Sequence, residues 1–369
     1  IKKIVPAKIK FLFGADTLAL SLPFKAFAKE MLLKYHSLPL WLPQIFFGTP
    51  LIDSTNLIFF YPTDFLFYFL PIPLTHTYII DFIIHLILAF YGMYLFLKSF
   101  ELRQEAAILG GMFYMLSGIM VSFAYVGHFG NIKAAALIPF IFYFTKKGID
   151  EQKFFYFLTA ALFFGLQILG IGMQIMAYTY FAVILFLFYE LFFVLKDIQK
   201  SKKIIIYFVI STVAILFFGA LQFFQSMAFT KYSWRANFNY ENFISWSFHP
   251  KEIISFFLPQ FFGLKDNTYW GAYEFNQTTY YFGVITFLFI PFGFFIKKYK
   301  NTSIFLGVSA FLFLILGFGG YTPFYKLFYY IPIFNSFRNP SRFLYISTFF
   351  TITLASIGFN NILLFSEKK

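Results

Sequence analysis

Few side chains in this sequence can do chemistry, and most lie between the long apolar runs rather than inside them. Asp16, in the stretch Phe-Gly-Ala-Asp-Thr, offers a carboxylate that suits a general base or the cap of a following helix. Asp53 and Asp64, in GTPLIDSTN and YPTDF, read as turn residues or as acidic groups of the same surface. Asp81 and His85 are four apart in an apolar run, so on a helix they share a face. At 1.5 Å per residue they sit roughly 5 and 10 Å below the outer end of that run. Ionisable residues at such depth face a polar cavity rather than lipid, or else form a structural Asp–His hydrogen bond. His128, in VGHFGN, is either a solvated turn residue or a cavity residue.

Arg338 and Arg342 bracket Pro340 in FRNPSRF, just before the last apolar run. Two guanidinium groups beside a proline-fixed turn can grip a phosphate with paired hydrogen bonds; the plainer reading is two arginines snorkelling at an interface. Trp41, Trp246 and Trp270 could stack on a sugar or anchor at a membrane surface. No phosphate-binding glycine loop, HExxH pair or nucleophile elbow is present. The absence of cysteine removes disulfides, Cys-ligated zinc and thiol catalysis.

The elements that must position these residues are helices in lipid. Hydrophobic residues make up 60% of the chain and charged ones 12%, with a mean hydropathy of +0.72. A soluble domain carries about 25% charged residues to keep its surface solvated; half of that cannot cover a water-exposed globule. The net charge of +13 does not indicate nucleic acid. The basic residues sit between apolar runs, where membrane topology puts them, and form no stripe among exposed aromatics. The 64 Phe and 26 Tyr accordingly read as packing and lipid-facing residues.

A span needs about 20 apolar residues. Nine runs approach this, near 78–97, 106–126, 132–145, 154–170, 176–195, 204–227, 280–296, 303–319 and 343–365. The run at 132–145 is short, opens with Lys133 and contains Pro139. Charge keeps it in the count. Connections 98–105, 146–153, 196–203, 297–302 and the tail 366–369 carry 2, 3, 4, 3 and 2 Lys or Arg, whereas the turns 127–131 and 171–175 carry none. Positive charge marks the cytoplasmic side, and only nine spans put these two sets on opposite sides. The expected organisation is an outer loop 1–77, a six-helix bundle 78–227, a second outer loop 228–279, and a three-helix part 280–369 with an outer loop at 320–342. Residues 20–35 place Leu20, Phe24, Phe27, Met31 and Tyr35 on one face with Lys25, Lys29 and Lys34 largely elsewhere, which predicts a helix lying on the membrane. A second, shorter one is expected at 249–260, with Pro250 at its start. The opening IKKIVPAKIK without Met, and an end just past an apolar run, read as cuts in a longer chain.

With those segments laid out, GAD and its helix, followed by SLPLWLPQIFFGTPLIDSTNLIFFYP, resemble the first outer loop of the YfhO-like bacterial membrane proteins. SFHPKEIISFFLPQFFG, TTYYFGV and TPFYKLFYYIPIFNSFRNPSRF resemble later outer segments of that family, and HLILAFYGMYLFL and MLSGIMVSF its early helices. The resemblance implies a GT-C type fold in the bacterial plasma membrane, many-helical with a large first outer loop. It also implies a glycosyltransferase that moves sugar from a polyprenyl-phosphate donor to an envelope polymer, such as a teichoic acid, or to a lipid. The family's first-loop aspartate falls on Asp16 and its Arg-x-Pro-x-Arg element on Arg338 and Arg342. Two departures are a missing first helix before the aspartate and missing helices and an outer domain after residue 369. No cofactor is implied for certain, and a divalent metal stays open. The implied partners are the lipid-linked sugar, the acceptor and membrane lipid, without nucleic acid. Two other readings remain, a transporter or flippase of lipid-linked glycans and a non-catalytic envelope-assembly subunit. A flippase should line a path across the bilayer, yet 204–227 and 303–319 contain no Asp, Glu, His, Lys or Arg. An assembly subunit predicts no cavity at Asp16.

Overall fold

In hydrocarbon every backbone polar group must be satisfied within the chain, and an apolar run achieves this as a helix. The computed structural model of this chain describes residues 14, 16–45, 47–51, 57–233, 236, 238–263, 268–272, 280–331 and 334–367, and it is all-α apart from one two-residue strand pair, Trp41–Leu42 with Thr49–Pro50. Among the described residues six helices are long and apolar enough to cross a membrane: Leu74–Lys98, Gln104–Val126, Met173–Leu195, Ile198–Tyr232, Lys297–Gly317 and Pro340–Ser366. The protein is therefore a multi-pass α-helical membrane protein by length and composition.

In chain order the α-helices are α1 (Leu22–Lys34), α2 (Pro62–Phe69), α3 (Leu74–Lys98), α4 (Gln104–Met115), α5 (Gly118–Val126), α6 (Phe129–Glu151), α7 (Phe154–Leu169), α8 (Met173–Tyr189), α9 (Ile198–Tyr232), α10 (Tyr240–Ile244), α11 (Val284–Phe289), α12 (Lys297–Gly317), α13 (Lys326–Tyr329) and α14 (Leu344–Ser366). The three expected runs outside the set of six are helical too, and each falls short for a physical reason. The run 132–145 lies inside α6, whose 23 residues include Lys133, Lys146, Lys147, Asp150 and Glu151. The run 154–170 becomes α7, with 16 residues. The run 280–296 is split between α11 and a 3-10 segment, Ile290–Phe294, with Pro291 as its second residue.

The last helix is the axis of the bundle. Its span is 72% buried, against 22% for that of α9, which packs on α7 and turns Val209, Val213, Phe217 and Phe224 outward. Around the axis α3 packs on α4 and α6, and α14 packs on α12 and α4. Phe96, Phe142, Phe349 and Phe350 meet at this junction, with Phe142 and Phe349 4.7 Å apart between centroids. Aromatic pairs at such distances add to the area they bury.

The helix expected at 20–35 forms, as a π-helical turn Thr17–Ser21 continued by α1. It does not simply lie on a surface. Phe24 and Ala28 are buried with Leu42, Leu51, Leu57, Phe59 and Tyr68, all from the segment that precedes α3. Lys25, expected away from the apolar face, is buried too, because a carboxylate waits for it there. The second short helix appears as a 3-10 turn, Pro250–Phe256, with Pro250 first and the His249 ring accepting from the Lys251 amide at 3.1 Å.

Candidate functional site

Two glycines dock the segment before α1 onto the bundle. A Cβ at Gly14 would strike the Tyr125 carbonyl, and one at Gly127 would strike Thr17 Oγ1. Gly127 also has φ +96° and closes α5 in the left-handed conformation that glycine adopts freely. This turn delivers His128 to the head of α6, facing Asp16. Asp16 makes no capping hydrogen bond to its helix. Its carboxylate instead lies 3.0 Å from His128 Nε2. Burial first, then the charge of Arg342, pulls the His128 pKa down, and Arg338 pulls the same way. A neutral His128 donates Nε2–H to Asp16, which leaves the Asp16 charge intact.

The arginines come from the turn that leads into α14. Asn339 takes a left-handed conformation (φ 67°), its amide donates to the Ser245 carbonyl at 2.9 Å, and its side chain accepts from the Ser341 hydroxyl. Tyr280 OH in turn donates to Ser341 at 3.0 Å. Gln174, at the start of α8, completes the hold. Its Nε2 donates to the Arg338 carbonyl at 2.6 Å, and its Oε1 accepts from Arg342 Nη1 at 2.9 Å. Arg342 Nε is buried without a partner.

These residues share a cavity of about 360 Å³, lined by Asp16, Lys25, Asp64, His128, Arg338 and Arg342 among others. Burial, and then the neighbouring Arg342, lowers the Arg338 pKa. That is the direction for two like charges on one wall, and a bound anion would relieve it. Among the described residues the ion-pair partner of Asp16 is His128 and not an arginine.

Beneath the cavity lies a buried charge lattice. Asp64, in the first turn of α2, takes Lys25 at 2.5 Å on one oxygen and Lys133 of α6 on the other. Lys133 also reaches Asp81 at 2.7 Å, and Thr63 donates to Asp81 at 2.5 Å. His85 Nδ1 lies 2.7 Å from the Asp81 main-chain oxygen, so it donates there, and Nε2 pairs with Tyr61 OH at 2.8 Å. Each lysine also stands over an aromatic ring, Lys25 over Tyr78 and Lys133 over Tyr61.

The expected residues thus separate. Asp16, His128, Arg338 and Arg342 line one cavity, whereas Asp81 and His85 do not line it, are each 1% exposed, and are joined to it through Lys133 and Asp64. Asp64 is no solvated turn residue: it is 1% exposed and holds two lysines. Trp41 is exposed on its strand and does not line the cavity, nor do Trp246 and Trp270. Asp53 lies outside the described residues. Among the described residues no three His, Asp or Glu side chains gather as metal ligands would. Lys25, Lys133 and Gln174 escape a sequence reading. A lysine opening the apolar run of α6 was a signal that a buried carboxylate must be near; Gln174 gave none.

Removing one partner from a buried lattice leaves the others charged and unpaired. Lys133→Met, which strands parts of Asp64 and Asp81, should cost about 3–5 kcal/mol. Thermal unfolding in detergent checks this against Lys34→Met, which breaks an exposed pair with Glu30 at 3.2 Å and should leave the midpoint unchanged. Equal midpoints for the two variants would mean that the lattice does not hold the fold.

No protein-family model matches this chain, and no curated protein does.

Proposed function

We propose that this chain is the core of a membrane glycosyltransferase of GT-C type, which takes sugar from a polyprenyl-phosphate donor and gives it to an envelope polymer or lipid. The observation that carries this reading is one cavity lined by two arginines and by a carboxylate whose ion-pair partner, among the described residues, is His128. The reading places the cavity at the outer surface of a bacterial plasma membrane, with nine crossings and the segments 1–77, 228–279 and 320–342 outside. It keeps the likeness to YfhO-like proteins as its basis for the donor class.

In this chemistry the acceptor hydroxyl gives its proton to Asp16 as its oxygen attacks the anomeric carbon. The bond from that carbon to the phosphate oxygen breaks, and the phosphate keeps the electron pair. Arg338 and Arg342 stabilise this growing charge, which makes them more valuable in the transition state than before it. Among the described residues Lys25, Lys133, Arg338 and Arg342 stand close to Asp16, Asp64 and Asp81, so the site offers cations to an anionic donor. The donor phosphodiester carries one negative charge and the departing phosphate monoester two, so cations at the site are worth more as the bond breaks.

A flippase would use the arginines differently and needs polar groups across the bilayer. Among the described residues the buried lattice runs from the cavity as far as His85 and Tyr61. The test is the full-length protein in proteoliposomes with a polyprenyl-phosphate hexose and envelope acceptor. Transfer should consume the donor and release polyprenyl phosphate; movement of intact donor between leaflets, without consumption, would favour the flippase.

A further inference from the structure

Arg342 can act only if its guanidinium is held away from Asp16. An arginine and a carboxylate on one cavity wall would ordinarily close into an ion pair, which would occupy the base and the phosphate site together. In the structure each has another partner: Arg342 Nη1 donates to Gln174 Oε1 and Asp16 pairs with His128. Gln174 is 6% exposed, and its Nε2 faces three acceptors: the Arg338 carbonyl at 2.6 Å, Tyr178 OH at 2.7 Å and the Asn339 carbonyl at 3.1 Å. Carbonyl oxygens accept and do not donate, so the NH₂ end must point at them. Oε1 is then fixed toward Arg342 Nη1 at 2.9 Å. One amide therefore ties the backbone of the arginine turn and the side chain of its second arginine to the start of α8. Being neutral, it orients the guanidinium without cancelling its charge.

We propose that Gln174 is the positioning residue of the phosphate site: it presents Arg342 to the anion and keeps Arg342 apart from Asp16. The inference rests on the phosphate-binding reading given above. It acts through Arg342, so its effect must vanish when Arg342 is gone.

The experiment is binding of a short-chain polyprenyl phosphate to the full-length protein in detergent, with the thermal midpoint recorded for every variant. Gln174→Met should weaken binding on the order of 10-fold, the effect of one lost charge-assisted contact, and should leave acceptor affinity unchanged. In the Arg342→Met background the same change should cost nothing further, since coupled residues are non-additive. If the Met variant fails to fold, Gln174→Asn replaces it, because it keeps an amide that can donate to the carbonyls of the turn but is one methylene too short to hold Arg342 as well. It too should weaken binding by at least about 10-fold. Wild-type affinity in the folded Gln174 variant, or an equal loss in the Arg342→Met background, overturns the positioning role. A wild-type protein that binds no polyprenyl phosphate overturns the phosphate site itself, and the two failures are thereby distinguished.

Discussion

Asp16→Asn should abolish glycosyl transfer while leaving the amount of folded protein unchanged. A positioned general base contributes about 10²- to 10⁴-fold, and the amide cannot take a proton at neutral pH. The shape is kept, and the Asn oxygen can still accept from His128 Nε2, which lies 3.0 Å from the carboxylate. The competing role for this residue, a helix cap, makes the opposite forecast, because Asn caps as well as Asp. The geometry speaks against that role, since the Asp16 side chain makes no capping hydrogen bond. Transfer rates and folded yield of the full-length variant decide it. Full activity in the Asn variant would remove Asp16 from the mechanism.

The next largest effect should come from the arginines. Lysine keeps the charge and the aliphatic stem but loses the two-pronged contact. One charge-assisted hydrogen bond is worth about 1.5–3 kcal/mol, so Arg338→Lys and Arg342→Lys should each lose on the order of 10- to 100-fold in donor affinity or turnover. Arg342→Lys should be the more costly of the two, because it also breaks the contact with Gln174 Oε1 at 2.9 Å. If the arginines only snorkel at an interface, lysine serves nearly as well. Turnover of polyprenyl-phosphate sugar in nanodiscs, at matched protein levels, separates these outcomes. Near wild-type rates in both variants would end the phosphate-clamp role.

What a sequence can show here follows from what its patterns encode. Apolar run length reports helices in lipid, so the six long apolar helices were legible; the weak run at 132–145 is helical within α6, but α6 is not one of those six. A proline-bracketed pair of arginines is a local signal, and so is an aspartate ahead of an apolar helix. His128 was visible as a turn residue, but its meeting with Asp16 joins positions 112 apart. The same limit hid the charge lattice. Lys25 looked like the solvated edge of an amphipathic helix because periodicity assigns faces by hydropathy and cannot see that Asp64 will occupy the buried side. Lys133 looked like a flaw in a span and is the joint between α2, α3 and α6. Gln174 reads as an ordinary polar residue beside a short turn; only the arrival of the 338–342 turn, more than 160 positions later, gives its amide partners.

The most direct measurement is a structure of the full-length protein with polyprenyl phosphate bound in a lipid nanodisc. We expect the phosphate in the cavity of about 360 Å³, within hydrogen-bond distance of both Arg338 and Arg342 and with its oxygens turned away from Asp16. A phosphate seated elsewhere in the bundle, with Arg338 and Arg342 pointing into lipid headgroups, would contradict the assignment of this cavity as the donor site.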